Sequence, residues 1–286
     1  MRVRVLGTAA GGGYPQWNCA CVQCGQARTA GVSRTQDCLA VSADGHAWYL
    51  VNASPDLRAQ LLATPELAPG PGARETPLRG VLFTDAELDH TLGLLMLREA
   101  ERLAVYGLAP VLDALEQCFP SRALPVDWRS LPAGEPSMLD GGLRVTAVPL
   151  GAKRPRYLPP ALDAAVACYR FDADGGGTFV YAPCLAAWTE DFDAALSGAS
   201  CVLLDGSFFT DDEMARAAGG GGTARSMGHL PIRESLPRLA AHPDVRALYT
   251  HLNNTNPVLD PGSTEAAELA AAGAEVAEDR QLIEPT

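Results

Sequence analysis

Short apolar runs that end at a polar residue recur along the whole chain and limit it to a layered arrangement of strands and helices. Six runs have the length and composition of strands, namely 2–7, 79–84, 143–149, 178–183, 200–205 and 246–250. Residues 38–51 predict a hairpin that turns at Asp44-Gly45. Three segments have the apolar spacing of helices, namely 91–103, 232–241 and 264–273. Because both kinds of segment occur in both halves, we expect one α/β domain over residues 1–286.

The segment WNCACVQCGQ, residues 17–26, predicts a metal-binding loop. It places Cys19, Cys21 and Cys24 within six residues. Zinc prefers four tetrahedral sulfur or nitrogen ligands, so three thiolates from one loop predict a structural Zn²⁺ whose fourth ligand comes from elsewhere. Three unrelated reduced cysteines are the alternative. A redox C-x-x-C pair is disfavoured, because we see no start of a helix at this point.

The remaining cysteines and the N-terminus indicate the compartment. Eight cysteines without a secretory signal are typical of a reducing environment, and we expect a cytoplasmic protein. The scattered cysteines should be small buried residues: Cys38, Cys118, Cys168, Cys184 and Cys201. No apolar run reaches the roughly 18 residues of a membrane span.

The net charge of the chain narrows the class of partner. The formal net charge is -12, and no stripe of basic residues stands out. Nucleic acids and anionic membrane surfaces select basic proteins, so both are disfavoured as partners. A small molecule or a short peptide is the expected substrate. The sequence leaves the oligomeric state open, a homo-oligomer included.

The segment FTDAELDH, residues 83–90, joins a predicted strand to a predicted helix, which is where α/β proteins place ligands. A solvated helix N-terminus would account for Asp85 or Glu87, because acidic side chains favour the first turn. It accounts less well for His90, whose cation would oppose the helix dipole. His229 and His251 also follow apolar segments.

This order of segments resembles the metallo-β-lactamase superfamily, whose fold is a four-layer αββα sandwich with metals at one edge of two sheets. The superfamily motif T-H-x-H-x-D-H appears as T-D-A-E-L-D-H, so Asp89 and His90 match while Asp85 and Glu87 replace two histidines. The N-terminal cysteines resemble a phosphodiesterase branch. In that branch a histidine supplies the fourth zinc ligand, at the position of Asn254.

Five segments together resemble the PqqB family of pyrroloquinoline quinone (PQQ) biosynthesis: GTAAGGGYPQWNCACVQC, TDAELDH, LLDGSFF, MGHLPI and THLNNTNP. The resemblance implies one of two roles. One is iron- and O₂-dependent hydroxylation of the tyrosine ring in a Glu-Tyr-derived PQQ precursor. The other is carriage or transport of the quinone or its precursor.

The resemblance also implies which catalytic metal site is retained. The third histidine of the superfamily's first site is expected in residues 148–153, which contain none. The bridging aspartate is expected in residues 180–185, where Cys184 stands. The second site keeps Asp89, His90 and His251. Two histidines and one carboxylate are the ligand set of non-haem Fe(II) oxygenases, so we expect catalytic Fe²⁺ there.

Four further residues are candidates for catalysis. Asp85 and Glu87 are expected to hydrogen-bond metal ligands or orient substrate, and Glu87 could also bind a metal directly. In a metal-dependent hydrolase, the rival function, both would be ligands of a second metal. Asp205 is a similar support or a turn residue. His229 resembles the general acid of relatives and would move a proton; a histidine at a helix start is the alternative.

Substrate contacts are expected in a Pro-rich loop after a predicted strand. This loop carries Arg154, Arg156 and Tyr157. Arginine binds carboxylates through two parallel hydrogen bonds, so the loop could receive the carboxylates of the substrate. A solvated loop is the alternative.

Overall fold

A computed structural model describes residues 1–119, 124–155, 157–159, 165–219 and 222–286 of the chain. The first of two seven-stranded sheets comes mostly from the N-terminal half, in the order β14-β1-β2-β3-β4-β5-β6. Its strands are β1 Arg2–Gly7, β2 Cys38–Ser42, β3 Trp48–Val51, β4 Leu78–Leu82, β5 Leu103–Gly107, β6 Val126–Ser130 and β14 Leu282–Ile283. Strands β3 to β6 are parallel, and β14, β1, β2 and β3 pair antiparallel.

The second sheet has the order β13-β12-β11-β10-β9-β8-β7. Its strands are β7 Pro136–Leu139, β8 Leu143–Gly151, β9 Val166–Ala173, β10 Thr178–Ala182, β11 Cys201–Asp205, β12 Arg246–Thr250 and β13 Glu275–Val276. Strands β7 to β10 pair antiparallel, whereas β10 to β13 are parallel. Each sheet therefore joins an antiparallel part to a parallel part.

Helices cover the sheets: α1 Val22–Ala30, α2 Leu57–Leu62, α3 Leu88–Thr91, α4 Ala109–Cys118, α5 Glu190–Leu196, α6 Glu213–Ala218, α7 Ile232–Leu239 and α8 Thr264–Ala271. Side chains of the second sheet alternate between two cores. In β11, Leu203 belongs to the core shared with the first sheet, whereas Val202 and Leu204 pack with α5, α7 and α8. This period of two buries both faces of the sheet. The predicted four-layer αββα sandwich is confirmed.

The predicted strands and the 38–51 hairpin are present, with Gly45 in the turn at φ 78°. The helices predicted at 232–241 and 264–273 are also present. The α-helix predicted at 91–103 is wrong. The short helix α3 is followed by a 3-10 helix, Leu92–Glu99. The Gly93 N–H donates to the carbonyl of Ala53, 2.8 Å away, and this bond to a neighbouring segment diverts the chain from α-helical pairing.

The expectation that no helix starts beside the N-terminal cysteines is also wrong. Helix α1 begins at Val22, with Cys21 at its N-cap and Cys24 in its first turn. Four of the scattered cysteines, Cys38, Cys168, Cys184 and Cys201, are buried as predicted. None of the described helices has the length and apolar character that a membrane crossing requires.

Candidate metal centre

The polar residues at the ends of four strands meet at one edge of the sandwich. Strands β10, β11 and β12 are parallel neighbours, so their carboxyl ends lie side by side. Asp205 is the last residue of β11, His251 follows β12 directly, and Cys184 lies shortly after β10. Asp85 follows β4 of the first sheet. The two sheets are joined near this point by a 2.8 Å hydrogen bond from the Ala167 N–H to the Thr84 carbonyl.

The orientation of His90 is set by Asp85. His90 Nδ1 lies 2.8 Å from one carboxylate oxygen of Asp85 and 2.9 Å from the other, and both residues are buried. His90 Nε2 is also buried, and it has no hydrogen-bond partner among the described residues. Burial alone would lower the pKa of His90, but the carboxylates of Asp85 and Asp89 outweigh it and raise that pKa to about 10. The surroundings of Nε2 therefore favour a positive charge, which a proton or a metal ion can supply.

His251 is held by Ser207, which the sequence analysis did not single out. The Ser207 hydroxyl lies 2.7 Å from Asp205 Oδ1 and 2.7 Å from His251 Nδ1. A carboxylate only accepts hydrogen bonds, so the hydroxyl donates its proton to Asp205 and accepts from His251 Nδ1–H. His251 Nε2 is thus the ring nitrogen that faces Asp89. His251 adopts φ 55°, an uncommon value for a residue with a side chain, as found at functional sites.

Asp89 lies beside His251, with its Oδ2 3.3 Å from His251 Nε2. Burial would raise the pKa of Asp89, but His90 and His251 hold it well below its usual range, so it is a carboxylate. A Cβ at Gly11 would lie 3.1 Å from Asp89 Oδ2. The glycine-rich turn thus allows the backbone to pass close to this carboxylate.

Cys184 completes what we call the central cluster: Asp89, His90, Cys184 and His251. The ligand atoms of His90, Cys184 and His251 lie within 4.8 Å of one another. Burial raises the pKa of the Cys184 thiol well above its usual value, so metal binding there would displace a proton. Two imidazoles, a carboxylate and a thiol form a donor set that suits zinc or iron. From the sequence, Cys184 was recognised only as a replacement for the expected aspartate.

His229 lies beside the central cluster and is neutral. Its Nδ1 lies 2.7 Å from Asp205 Oδ2, so the imidazole donates from Nδ1 and carries a lone pair on Nε2. Burial, helped by Lys153 and His251, lowers the pKa of His229 despite the Asp205 carboxylate. Asp205, His229 and His251 also lie close together, but Ser207 and Asp205 occupy both Nδ1 atoms. We therefore interpret this group as a hydrogen-bond network that supports the cluster.

Lys153 stands where the missing third histidine was expected, and the sequence analysis did not select it. Its Nζ lies 3.2 Å from His229 Nε2 and 3.8 Å from Glu87 Oε1. Burial opposes the charge, but Cys184, Glu87, Asp85 and Asp89 raise the pKa of Lys153 above its usual value. The signal that could have found it is composition, because Lys153 is the single lysine of the chain.

A cavity of about 940 Å³ opens onto the central cluster. Lys153, Arg154 and Tyr157 all line it, and the Tyr157 hydroxyl donates to the backbone carbonyl of Ala86. Arg156, also proposed as a substrate contact, lies outside the described residues. The cavity has the size of sites that enclose small organic ligands.

The three cysteines of the 17–26 loop converge. Their sulfur atoms lie within 4.8 Å of one another. The side-chain amide of Asn254 faces all three, with Nδ2 3.2, 3.7 and 3.4 Å from the sulfurs of Cys19, Cys21 and Cys24. Amide oxygen and nitrogen exchange places by a simple flip, so the Asn254 oxygen can face a metal at this point. The described residues thus offer three sulfurs and one amide.

The chain is similar in sequence and in fold to several known proteins. Residues 47–252 match the model of the beta-lactamase superfamily domain. Coenzyme PQQ synthesis protein B of Azoarcus sp. is 40% identical, over 99% of this chain and 99% of the relative. The Zn²⁺-bound PqqB of Methylobacterium extorquens has a TM-score of 0.90 and 36% identity, over 99% and 100% of the two chains. A diphosphatase of the PhnP family, with a TM-score of 0.73, 19% identity and coverage of 100% and 98%, shares the fold.

Proposed function

The chain belongs to the PqqB family of the beta-lactamase superfamily, and on this premise we propose that it is a metal-dependent enzyme of PQQ biosynthesis. In the reaction that we propose, the tyrosine ring of a Glu-Tyr-derived precursor is hydroxylated with iron and O₂. One oxygen atom of O₂ enters the ring and the other leaves as water, with two electrons from a reductant. Localisation in the cytoplasm is part of the same proposal.

The observation that carries this proposal is the buried Nε2 of His90, which has no hydrogen-bond partner among the described residues. A buried nitrogen without a partner is costly unless a ligand completes it. Together with His251 and Asp89 it forms a set of two histidines and one carboxylate, which suits Fe(II) with open positions. Iron held there would supply the activation of O₂.

The surrounding residues orient these ligands and would transfer protons. Asp85 and Ser207 fix the imidazoles of His90 and His251 through their Nδ1 atoms. Neutral His229 carries a lone pair on Nε2, which accepts a hydrogen bond from Lys153 in the structure. It can accept the phenolic proton of the substrate once the ammonium moves away from Nε2. Asp205 stabilises the imidazolium that would result, as a carboxylate on Nδ1–H does in other catalytic pairs.

The contacts of Lys153 favour one catalytic metal over two. A binuclear hydrolase needs a second cation about 3.5–4 Å from the first. Lys153 brings its own positive charge to the position expected for a ligand of that second metal, beside Glu87. The metal-dependent hydrolase is therefore disfavoured. A carrier of PQQ or its precursor would use the same cavity without turnover, and the activity test below separates it.

We also propose a structural Zn²⁺ in the cysteine loop. Three converging sulfurs and the facing Asn254 amide provide four possible ligands. The relative from Methylobacterium extorquens binds zinc, which supports the presence of this metal in the family. A closed set of four protein ligands leaves no position for substrate, so this zinc would stabilise the fold.

The test of the proposed function is mass spectrometry of the peptide L-Glu-L-Tyr after incubation with Fe(II)-loaded protein, reductant and O₂. We expect the mass of one added oxygen on the ring with wild-type protein and none with Asp89→Ala. Asp174→Ala, which removes a carboxylate whose side chain is 91% exposed, is the matched control and should retain activity. Equal amounts of product from wild type and from Asp89→Ala would contradict the proposal. The absence of product from wild-type protein supplied with the authentic precursor would also contradict it.

A further inference from the structure

Lys153 differs from every other cation of the chain. Of the 22 lysine and arginine residues, 21 are arginine, and the single lysine lies in the cavity beside the central cluster. Arginine presents a planar fork, whereas lysine presents a compact ammonium with three rotatable donors. A chain that otherwise uses arginine throughout thus places its one compact cation at this point.

The surroundings of Lys153 suit a compact cation. Its stem passes over Gly228, where an added Cβ would lie 3.0 Å from Lys153 Cδ. Among the described residues, its one hydrogen bond goes to His229 Nε2, and Glu87 Oε1 forms an ion pair at 3.8 Å. An ammonium has three donors, so donors remain for a ligand that enters the cavity. The side chain is 23% exposed, which leaves it reachable from there.

We propose that Lys153 receives a carboxylate of the substrate and positions the substrate beside the central cluster. This inference rests on the proposed function and specifies its substrate as an acidic small molecule or peptide. The protein carries a net charge of -12, and Glu87 and Asp89 line the cavity together with Arg154 and Arg225. Lys153 contacts His229 and so places its cation beside the central cluster, where it offsets the repulsion that an acidic substrate meets from the nearby carboxylates. His229 holds the ammonium from one side and leaves it facing the cavity.

The first test compares two peptides that differ in charge, L-Glu-L-Tyr and L-Gln-L-Tyr-amide, which carries amides in place of both carboxylates. Isothermal titration calorimetry of the metal-loaded protein gives a Kd for each peptide. We expect wild type to prefer the acidic peptide. Lys153→Met should weaken the binding of that peptide about tenfold or more without weakening the binding of the amide peptide. Arg98→Met, on the surface, changes the net charge equally and should retain the preference.

The inference would be overturned if Lys153→Met discriminated between the two peptides as well as wild type does. Equal binding of both peptides by wild type would also overturn it. Metal content measured on each variant separates loss of a substrate contact from loss of the metal. Lys153→Arg keeps the charge in a different shape and should restore part of the preference.

A second measurement uses the unaltered protein. Lysine labelled with ¹⁵N at Nζ gives a single side-chain ammonium signal, because the chain has one lysine. That signal should move when L-Glu-L-Tyr is added and stay when L-Gln-L-Tyr-amide is added; the same response to both would contradict the inference. Neither test requires turnover. Charge-selective binding without hydroxylation would therefore contradict only the proposed reaction. Hydroxylation without charge-selective binding would contradict only the role of Lys153.

Discussion

Each imidazole of the central cluster uses one ring nitrogen for support and keeps the other for a ligand. Asp85 holds His90, and Ser207 holds His251, both through Nδ1. The two supporting groups differ in charge, because one is a carboxylate and the other is a hydroxyl that donates a hydrogen bond to Asp205. A charged support increases the basicity of its imidazole more than a neutral one does. The metal affinity of the cluster should therefore depend strongly on Asp85.

The first prediction concerns Asp85→Asn, which keeps the shape of the side chain and removes its charge. We expect the affinity for the catalytic metal to fall about 10- to 100-fold, because the His90 imidazole loses the carboxylate that supports it. Competition with a chelator of known affinity measures the change. Asp174→Asn, on the surface, is the matched control and should leave affinity unaltered. Equal affinity in Asp85→Asn and wild type would rule out this role.

At the scale of elements, the three cysteines of the 17–26 loop connect helix α1 to the segment after β12. Cys21 and Cys24 lie at the start of α1, and Asn254 follows β12 by four residues. Arg28 of the same helix donates to the backbone carbonyls of Gln16 and Cys19, both 2.6 Å away, and so ties the loop to the helix. A metal here would fix the N-terminal loop to the segment that carries His251.

The second prediction concerns Asn254→His. An imidazole is a stronger zinc ligand than an amide, so we expect zinc to bind at least about tenfold more tightly to the cysteine site of this variant. A chromophoric zinc chelator measures the competition. Cys24→Ser should instead weaken binding and lower the Tm, since a structural metal contributes directly to folding free energy. Unchanged zinc affinity in Asn254→His would show that the side chain does not face the metal.

At the scale of the whole molecule, one buried carboxylate links distant segments under the edge that carries the site. Glu213, at the start of α6, accepts from the Phe209 N–H at 2.7 Å and from the Thr255 hydroxyl at 2.6 Å. Burial raises the pKa of Glu213 from 4.5 to about 7. Between pH 4.5 and about pH 7 the folded protein therefore keeps a proton that the unfolded chain releases. The contribution of Glu213 to the free energy of unfolding decreases as the pH rises through this range.

The third prediction follows from that sign. Relative to wild type, Glu213→Gln should gain about 1–3 kcal/mol of stability between pH 4.5 and pH 8, at about 1.4 kcal/mol per pKa unit. The amide can keep both hydrogen bonds by accepting from Phe209 and donating to Thr255. Urea unfolding of metal-saturated protein at several pH values measures the difference, and Glu284→Gln, on the surface, is the control. A stability difference that does not vary with pH would contradict the prediction.

Patterns in the sequence predicted a layered α/β domain, and the resemblance to a known family supplied the four-layer αββα order. Alternating polarity marks which face of a strand is buried, and a polar residue after an apolar strand marks an edge. Asp89, His90 and His251 were located near the ends of apolar segments in this way, and the resemblance to a known family supplied their role as metal ligands. The cysteine loop was found from spacing alone, although the helix that positions it was missed.

Only the tertiary structure brought Cys184, Ser207 and Lys153 to the central cluster. They follow three different strands, and none of them was selected as a site residue from the sequence. Local periodicity determines whether a residue is buried, but the pairing of β10, β11 and β12 determines which strand ends meet. That pairing arises from packing between residues far apart in the chain. A single lysine among 22 basic residues was visible in the composition, but its place beside His229 was decided by the fold.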